Sequence, residues 1–522
     1  MRSRRLRSAA LGALGLLALS TLYYFVSVHA FAGNSDGATV VLEGAAVRDG
    51  HLALAHWRLS LDSFWTVDVL FYALAVLVGG VRAAAMHLVP AVLAAATVLL
   101  GTLLVVRGQP RRAAFAALFT VAALLVLPGH ALAFFLLQGP WHVGTVLYCL
   151  GAMALLDGRP PGWRWCLAVA LLAGALLGDL QALALGVLPV ALGGLAAAAR
   201  TNSLRRGAAS LAAAPAAVAL ALVVRLLAEA LGTFQLAPSR RGTTLAQLRA
   251  DPGLLGNWLA AFVGVHRGAI GGPKVSPLLE LPHLLGLLAI AAGVLGAAVA
   301  LVRGIGRAGA APAAERDWRL DDQLLFGLLG GVAVFCELTE SASPSYARYL
   351  DAVVLFGAFL AARLVGRLVL GAPRPLLAVG VLLGALSLAT SAAVTAVDLS
   401  ARPPRSASAA LERFLLAHHL TEGIGDYWAA SVVTVDTGGA VRLRPVLADG
   451  AGRLVADGRQ SSADWYRGQS FSFLVYAKQP FGGIVPAAIA RTFGAPSHTY
   501  RVAGYSVDTW PHALRLGNET AS

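Results

Sequence analysis

Long apolar runs recur along this chain from residue 9 to residue 397 and then stop, and no other feature restricts its fold as strongly. A run of about 20 residues with few charges matches the length of helix that crosses a bilayer. Inside lipid every backbone group must be satisfied within the segment, which leaves helices for runs of this kind. Of the 522 residues, 57% are hydrophobic and 13% charged, against about 25% charged in an average soluble protein. The expected fold class is an α-helical polytopic membrane protein, with about eleven transmembrane helices and a C-terminal extracytoplasmic α/β domain.

Arg2, Arg4, Arg5 and Arg7 precede the first run, at about 9–28, which reads as an uncleaved first helix with a cytoplasmic N-terminus. Further spans are expected near 87–106, 112–132, 142–156, 163–178, 183–199, 208–231, 284–302, 323–337, 349–365 and 375–397. Threaded alternately, they place the clusters beginning at Arg107, Arg159, Arg200, Arg303 and Arg363 on one side, with the N-terminal arginines. Omitting any one span would reverse every later loop, so this agreement with the positive-inside rule tests the whole set. It also accounts for the net charge of +14 without nucleic acid. Cys149, Cys166 and Cys336 lie in or beside apolar runs, with no spacing that suggests a disulfide framework.

Two outer connections are long, at about 30–86 and 232–283, and the second carries Arg240, Arg241, Arg249, Arg267 and Lys274 against Asp251 and Glu280. The expected division is a membrane domain over 1–397 and an extracytoplasmic α/β domain over 398–522. The tail reads as a helix at 407–420 followed by β-like runs such as ASVVTVDT, AVRLRPV, FSFLVYA and HTYRVAGYSV.

The topology gathers Asp62, Asp68, His130, His142, Asp179, Arg225, Glu229, Glu337, Glu340 and Arg348 at the outer membrane face. A transporter would place ionisable groups near the midplane of broken helices, whereas these sit at span ends. Asp68, before an expected interfacial helix, or Asp62 suits a general base. His130 and His142 bound a short outer loop, where histidine donates to phosphate or ligates metal. Arg225 and Glu229 are four apart on one helix and neutralise each other. Arg348 opens a late span, where it can grip a lipid-linked phosphate. In the tail, Asp426, Tyr427 and Trp428 combine a carboxylate with aromatic faces, as sugar recognition requires.

Three features then resemble the GT-C superfamily of membrane glycosyltransferases, which includes protein mannosyltransferases and lipid A aminoarabinose transferases. They are Asp68 in a long first outer loop with Tyr72 four positions on, the PWHVGT segment, and SYARYL opening a late span. The likeness implies a polyprenyl-phosphate sugar as donor, a cell-envelope glycan, lipid or secreted protein as acceptor, and a bacterial cell membrane as the location. It implies a catalytic first-loop acid. Many such enzymes have two adjacent acids there, whereas Val69 follows Asp68 here, so both the identity of the base and the use of a divalent cation stay open. A flippase of a lipid-linked precursor and a non-catalytic scaffold are the competing readings.

Overall fold

The computed structural model describes residues 2–158, 160–237, 244–265, 280–306, 315–337, 344–404, 406–479 and 481–517. Glu340, Arg240, Arg241, Arg267 and Lys274 lie outside the described residues. The chain opens with α1 (Arg2–Ala30) and α2 (Ser35–Arg48), and Asn34 caps α2 by accepting from the Gly37 N–H at 2.8 Å. β1 (Trp57–Leu59) and α3 (Leu70–Gly79) follow. The expected outer connection at 30–86 is therefore largely folded. α2 packs on α3 because Gly44 carries no side chain: a Cβ there would lie 2.7 Å from the Ala73 nitrogen.

Next come α4 (Ala84–Val106), α5 (Arg111–Val121), α6 (His130–Leu137), α7 (Val143–Leu156), α8 (Gly162–Gly178), α9 (Leu188–Thr201) and α10 (Leu204–Ala230). After β2 (Gln235–Leu236) the chain continues through α11 (Leu245–Phe262), α12 (Leu281–Gly306), α13 (Glu315–Glu337), α14 (Asp351–Leu368) and α15 (Arg374–Ser400). Among the described residues seven helices are long and apolar enough to cross a membrane, or eight if one bent pair counts as a span. That pair corrects the expectation of a single span at 112–132. Helix 111–126 and α6 meet at 83°, because Pro128 and Gly129 interrupt the run. His130 consequently starts a helix instead of a loop.

Ion pairs and hydrogen bonds tie the basic loops together at one end of the bundle. Arg107 meets Asp157 at 3.3 Å, Arg319 donates to the Gly158 carbonyl at 3.1 Å, Arg200 pairs with Asp322, and Arg363 and Arg367 share Asp321.

A C-terminal sheet domain contains α16 (Ala409–Ala417), β3 (Glu422–Gly425), α17 (Tyr427–Asp436), β4 (Arg442–Ala448), β5 (Leu454–Ala456), β6 (Ser461–Ser462), β7 (Phe471–Ala477), α18 (Pro486–Phe493), β8 (His498–Val502) and β9 (Tyr505–Leu514). Its six-stranded sheet has the order β5-β4-β3-β7-β9-β8, with β3 parallel to both β4 and β7. Side chains alternate across β7, so that Phe473 and Val475 join Leu411 and Val433 in one core, while Leu474 joins Ile424 and Ile489 in another. ASVVTVDT forms α17, not the expected strand. Asp426 caps it, and burial of Val432, Val433 and Val435 outweighs the β preference of branched residues. β1 pairs with both β2 and β6, stitching the first outer segment to the sheet domain.

Candidate active site

Asp68 sits in a turn of π-helix, Trp65–Val69, at the head of α3. Phe64 starts that turn in the left-handed region (φ 52°), which is uncommon for a bulky residue. Its N–H donates to the Gly178 carbonyl at 2.7 Å, and its own carbonyl accepts from the Asp68 N–H at 2.9 Å. The turn lies against the first turn of α7. A Cβ on Gly144 would sit 2.7 Å from Asp68 Oδ2 and 2.9 Å from the Val67 carbonyl oxygen. Asp68 is buried, and its Oδ2 has no hydrogen-bond partner among the described residues.

Asp179, just past α8, is fully engaged. Its Oδ2 accepts from His142 Nδ1 at 2.8 Å and Thr145 Oγ1 at 2.5 Å, and its Oδ1 from the Gln181 N–H at 2.8 Å. Burial disfavours the Asp179 carboxylate, yet the facing His142 and these hydrogen bonds outweigh it and hold the group below the ordinary value. Burial likewise works against a charged His142, but Asp179, Asp62 and Asp351 outweigh it and raise the imidazole. Asp62 is raised, first by burial and then by the like charge of Asp179, against the pull of His142 and Arg348.

α14 supplies the other half of the cluster from its N-terminal end. Tyr349 donates to Asp62 at 3.1 Å, and its ring lies 4.7 Å from that of His142. Arg348 stands over the rings of Trp141, Tyr346 and Tyr349 at 5.2, 5.9 and 5.1 Å. It has no carboxylate within ion-pair distance among the described residues, and its Nε is buried without a partner. Asp351 follows, buried, with Oδ2 also unpartnered. His142 and Asp179 act electrostatically on Asp62, Asp68 and Asp351, and Arg348 acts on Asp62 and Asp351.

The sequence-derived candidates divide on this geometry. Asp62, Asp68, His142 and Arg348 converge. Tyr72 is buried behind Asp68 with an unpartnered hydroxyl, close to Gly139, where a Cβ would lie 2.8 Å from it. His130 stands apart, 3.5 Å from Asp398 at the end of α15, with its ring tilted against that of Phe31 at 5.0 Å. Arg225 pairs with Glu229 at 2.6 Å, as their spacing implies, and lies over Phe234. Asp426 caps α17 and accepts from the Ala477 N–H at 2.9 Å, so its carboxylate is committed to the backbone. Tyr427 is buried, donating to Asp36 at 2.5 Å and bonding Gln460. Of the expected tail trio only Trp428 is exposed, beside Phe481. Asp351 was not singled out from the sequence, although it directly follows SYARYL.

Among the described residues, no three His, Cys, Asp or Glu side chains are grouped to hold a metal ion. His142 Nδ1 and Asp179 are spent on each other. The donors at hand thus form no ready cation site, and we route no step through a metal.

No protein-family model and no curated protein matches the chain. Among solved structures it is similar to the apo oligosaccharyltransferase of Archaeoglobus fulgidus, with TM-score 0.48 and 11% identity, covering 90% of this chain and 70% of that one. It is also similar to apo ArnT from Cupriavidus metallidurans, with TM-score 0.41 and 15% identity over 96% and 98% of the two chains. A third is the Archaeoglobus fulgidus oligosaccharyltransferase AglB in complex with an inhibitory peptide and a dolichol-phosphate, with TM-score 0.42 and 13% identity over 89% and 69%.

Proposed function

We propose that the chain is a membrane glycosyltransferase, moving a sugar from a polyprenyl-phosphate donor to an acceptor hydroxyl at the cluster around Asp68. One observation carries the reading: Arg348, caged by aromatic rings and with no carboxylate within ion-pair distance among the described residues, acts on Asp351, whose buried Oδ2, like that of Asp68 in the same cluster, is unpartnered. Such a cation suits a lipid-borne phosphate, since a charge without a partner is costly to bury.

In the proposed step a carboxylate, Asp68 first, accepts the proton of the acceptor hydroxyl. The acceptor oxygen attacks the anomeric carbon, the bond to the phosphate oxygen breaks with its electron pair, and Arg348 stabilises the phosphate formed. The anomeric configuration inverts. His142, held by Asp179, presents Nε2 toward the same site, where it is buried without a partner among the described residues.

On this reading the protein makes eleven crossings of a bacterial plasma membrane. The paired arginine loops face the cytoplasm, and the domain from 398 onward lies outside with the site. The acceptor is an envelope glycan, lipid or secreted protein. The test is transfer by the purified full chain from a polyprenyl-phosphate sugar, read by mass spectrometry of membrane acceptors. Arg348→Ala and Asp68→Asn are expected to abolish it while the protein stays folded. Undiminished transfer by both variants would refute the assignment.

A further inference from the structure

A cavity lies at the seam between α2, β1 and the α17–β4 edge of the sheet domain, in a cleft of about 550 Å³, within the range of small-molecule sites. None of its lining residues belongs to the Asp68 cluster. Trp57 and Trp465 meet there edge to face, with ring centroids 4.9 Å apart, and the Arg444 guanidinium stands 4.4 Å over the Trp465 ring.

The lining charges are balanced except at one place. Asp49 pairs with Arg48 at 2.8 Å, Asp464 with Arg467 at 3.0 Å, and Arg442 with Glu422 at 3.3 Å. The Arg444 guanidinium makes no hydrogen bond or ion pair among the described residues, and burial pulls it down to about 10. A half-buried cation standing over an aromatic ring, with Glu422, the acid that acts on it, already paired to Arg442, is poised for an anion. Joined to an indole wall, that anion is best carried on a ring with an apolar face.

We propose that this cleft binds an acidic saccharide, a sugar ring packed on the half-exposed Trp465, which the buried Trp57 backs, with its carboxylate paired to Arg444. A planar guanidinium takes a carboxylate through two parallel hydrogen bonds, which distinguishes an acidic sugar from a neutral one of the same shape. The site stands whether or not the Asp68 cluster transfers sugar.

The experiment is calorimetric titration of the full chain in phosphatidylcholine nanodiscs with a glucuronate-terminated disaccharide and with its glucose-terminated counterpart. Wild type is expected to bind the acidic disaccharide at least tenfold more tightly. R444Q should remove that preference, R444K should keep part of it, and W465L should weaken both ligands. Equal affinity for the two disaccharides in wild type overturns the proposal, whatever the variants do. So does displacement by inorganic phosphate at the same concentration, which marks a simple anion site. Loss of the preference in nanodiscs containing phosphatidylglycerol overturns it in favour of a lipid headgroup. Asp68→Asn is expected to bind as wild type does, so failure of sugar transfer and failure of this site are read separately.

Discussion

A single added methyl group can test whether the position of Asp68 matters. Gly144 occupies the first turn of α7, and Gly144→Ala would place a Cβ 2.7 Å from Asp68 Oδ2, where ordinary contact begins at 3.4 Å. The carboxylate must retreat by about 0.7 Å. The turn that carries it is pressed as well, because the second neighbour, at 2.9 Å, is the backbone carbonyl of the adjacent Val67. Overpacking of this kind costs about 1–3 kcal/mol of stability. A misplacement of about 1 Å at a reacting group costs on the order of 100-fold in rate, so a fall of about tenfold or more is expected. The assay compares initial transfer rates with melting temperature in detergent. Gly151→Ala serves as control on the same helix, since its nearest neighbour is the movable end of Leu171 at 3.1 Å. A Gly144→Ala protein that melts lower yet transfers within twofold of wild type would show that Asp68 can move without consequence, and the catalytic assignment would fall.

Other perturbations address the frame around the site. Asp321→Asn leaves Arg363 and Arg367 facing an uncharged partner inside the bundle, and a loss of about 3–5 kcal/mol is expected, read as reduced melting temperature with little change in the rate of the surviving protein. Asp426→Ala removes the α17 cap and the partner of the Ala477 N–H; it should cost about 1–3 kcal/mol and expose the sheet domain to limited proteolysis without altering sugar preference. The His142–Asp179 pair predicts a pH dependence. The raised imidazole stabilises the fold fully below its unfolded value of 6.5, and that contribution fades as pH rises through its higher folded value. The lowered Asp179 loses its contribution only as pH falls below the ordinary carboxylate value of 3.8. Melting temperature should therefore decline as pH rises above 6.5, and His142→Gln should flatten that decline.

The helices were legible because an apolar run of span length has few alternatives in lipid, and the expected spans other than the broken one at 112–132 fall on helices. Span ends and bends were less so: the break at Pro128 depends on a proline and a glycine whose effect neighbouring helices can mask in other bundles. α17 was misread because ASVVTVDT has a β composition, and only burial on a sheet and against α2, where Thr39 donates to Ser431 at 2.8 Å, makes it helical. Candidate residues were found wherever polarity interrupts an apolar end. Their grouping was not legible, because His142, Asp179 and Asp351 meet through tertiary packing of α7, α8 and α14, which no local pattern encodes.

Hydrogen-bond accounting ranks the carboxylates that the sequence could not. Both oxygens of Asp179 and both of Asp426 are satisfied, which is what a positioning or capping role requires. Asp62 has the Tyr349 hydroxyl. Asp68 and Asp351 each keep a buried oxygen without a partner among the described residues, at a cost of about 1–3 kcal/mol per group. Glu43 also keeps such an oxygen, but Asp68 and Asp351 keep theirs within the one electrostatic cluster, and on the proposed function these two atoms are where a further hydroxyl or proton is met. Asp351→Asn is therefore expected to lower transfer as much as Asp68→Asn, and Asp62→Asn less, with rates measured at saturating donor. Should Asp62→Asn prove the most damaging of the three, a free oxygen is not what identifies the base here, and the tyrosine-held carboxylate takes that role.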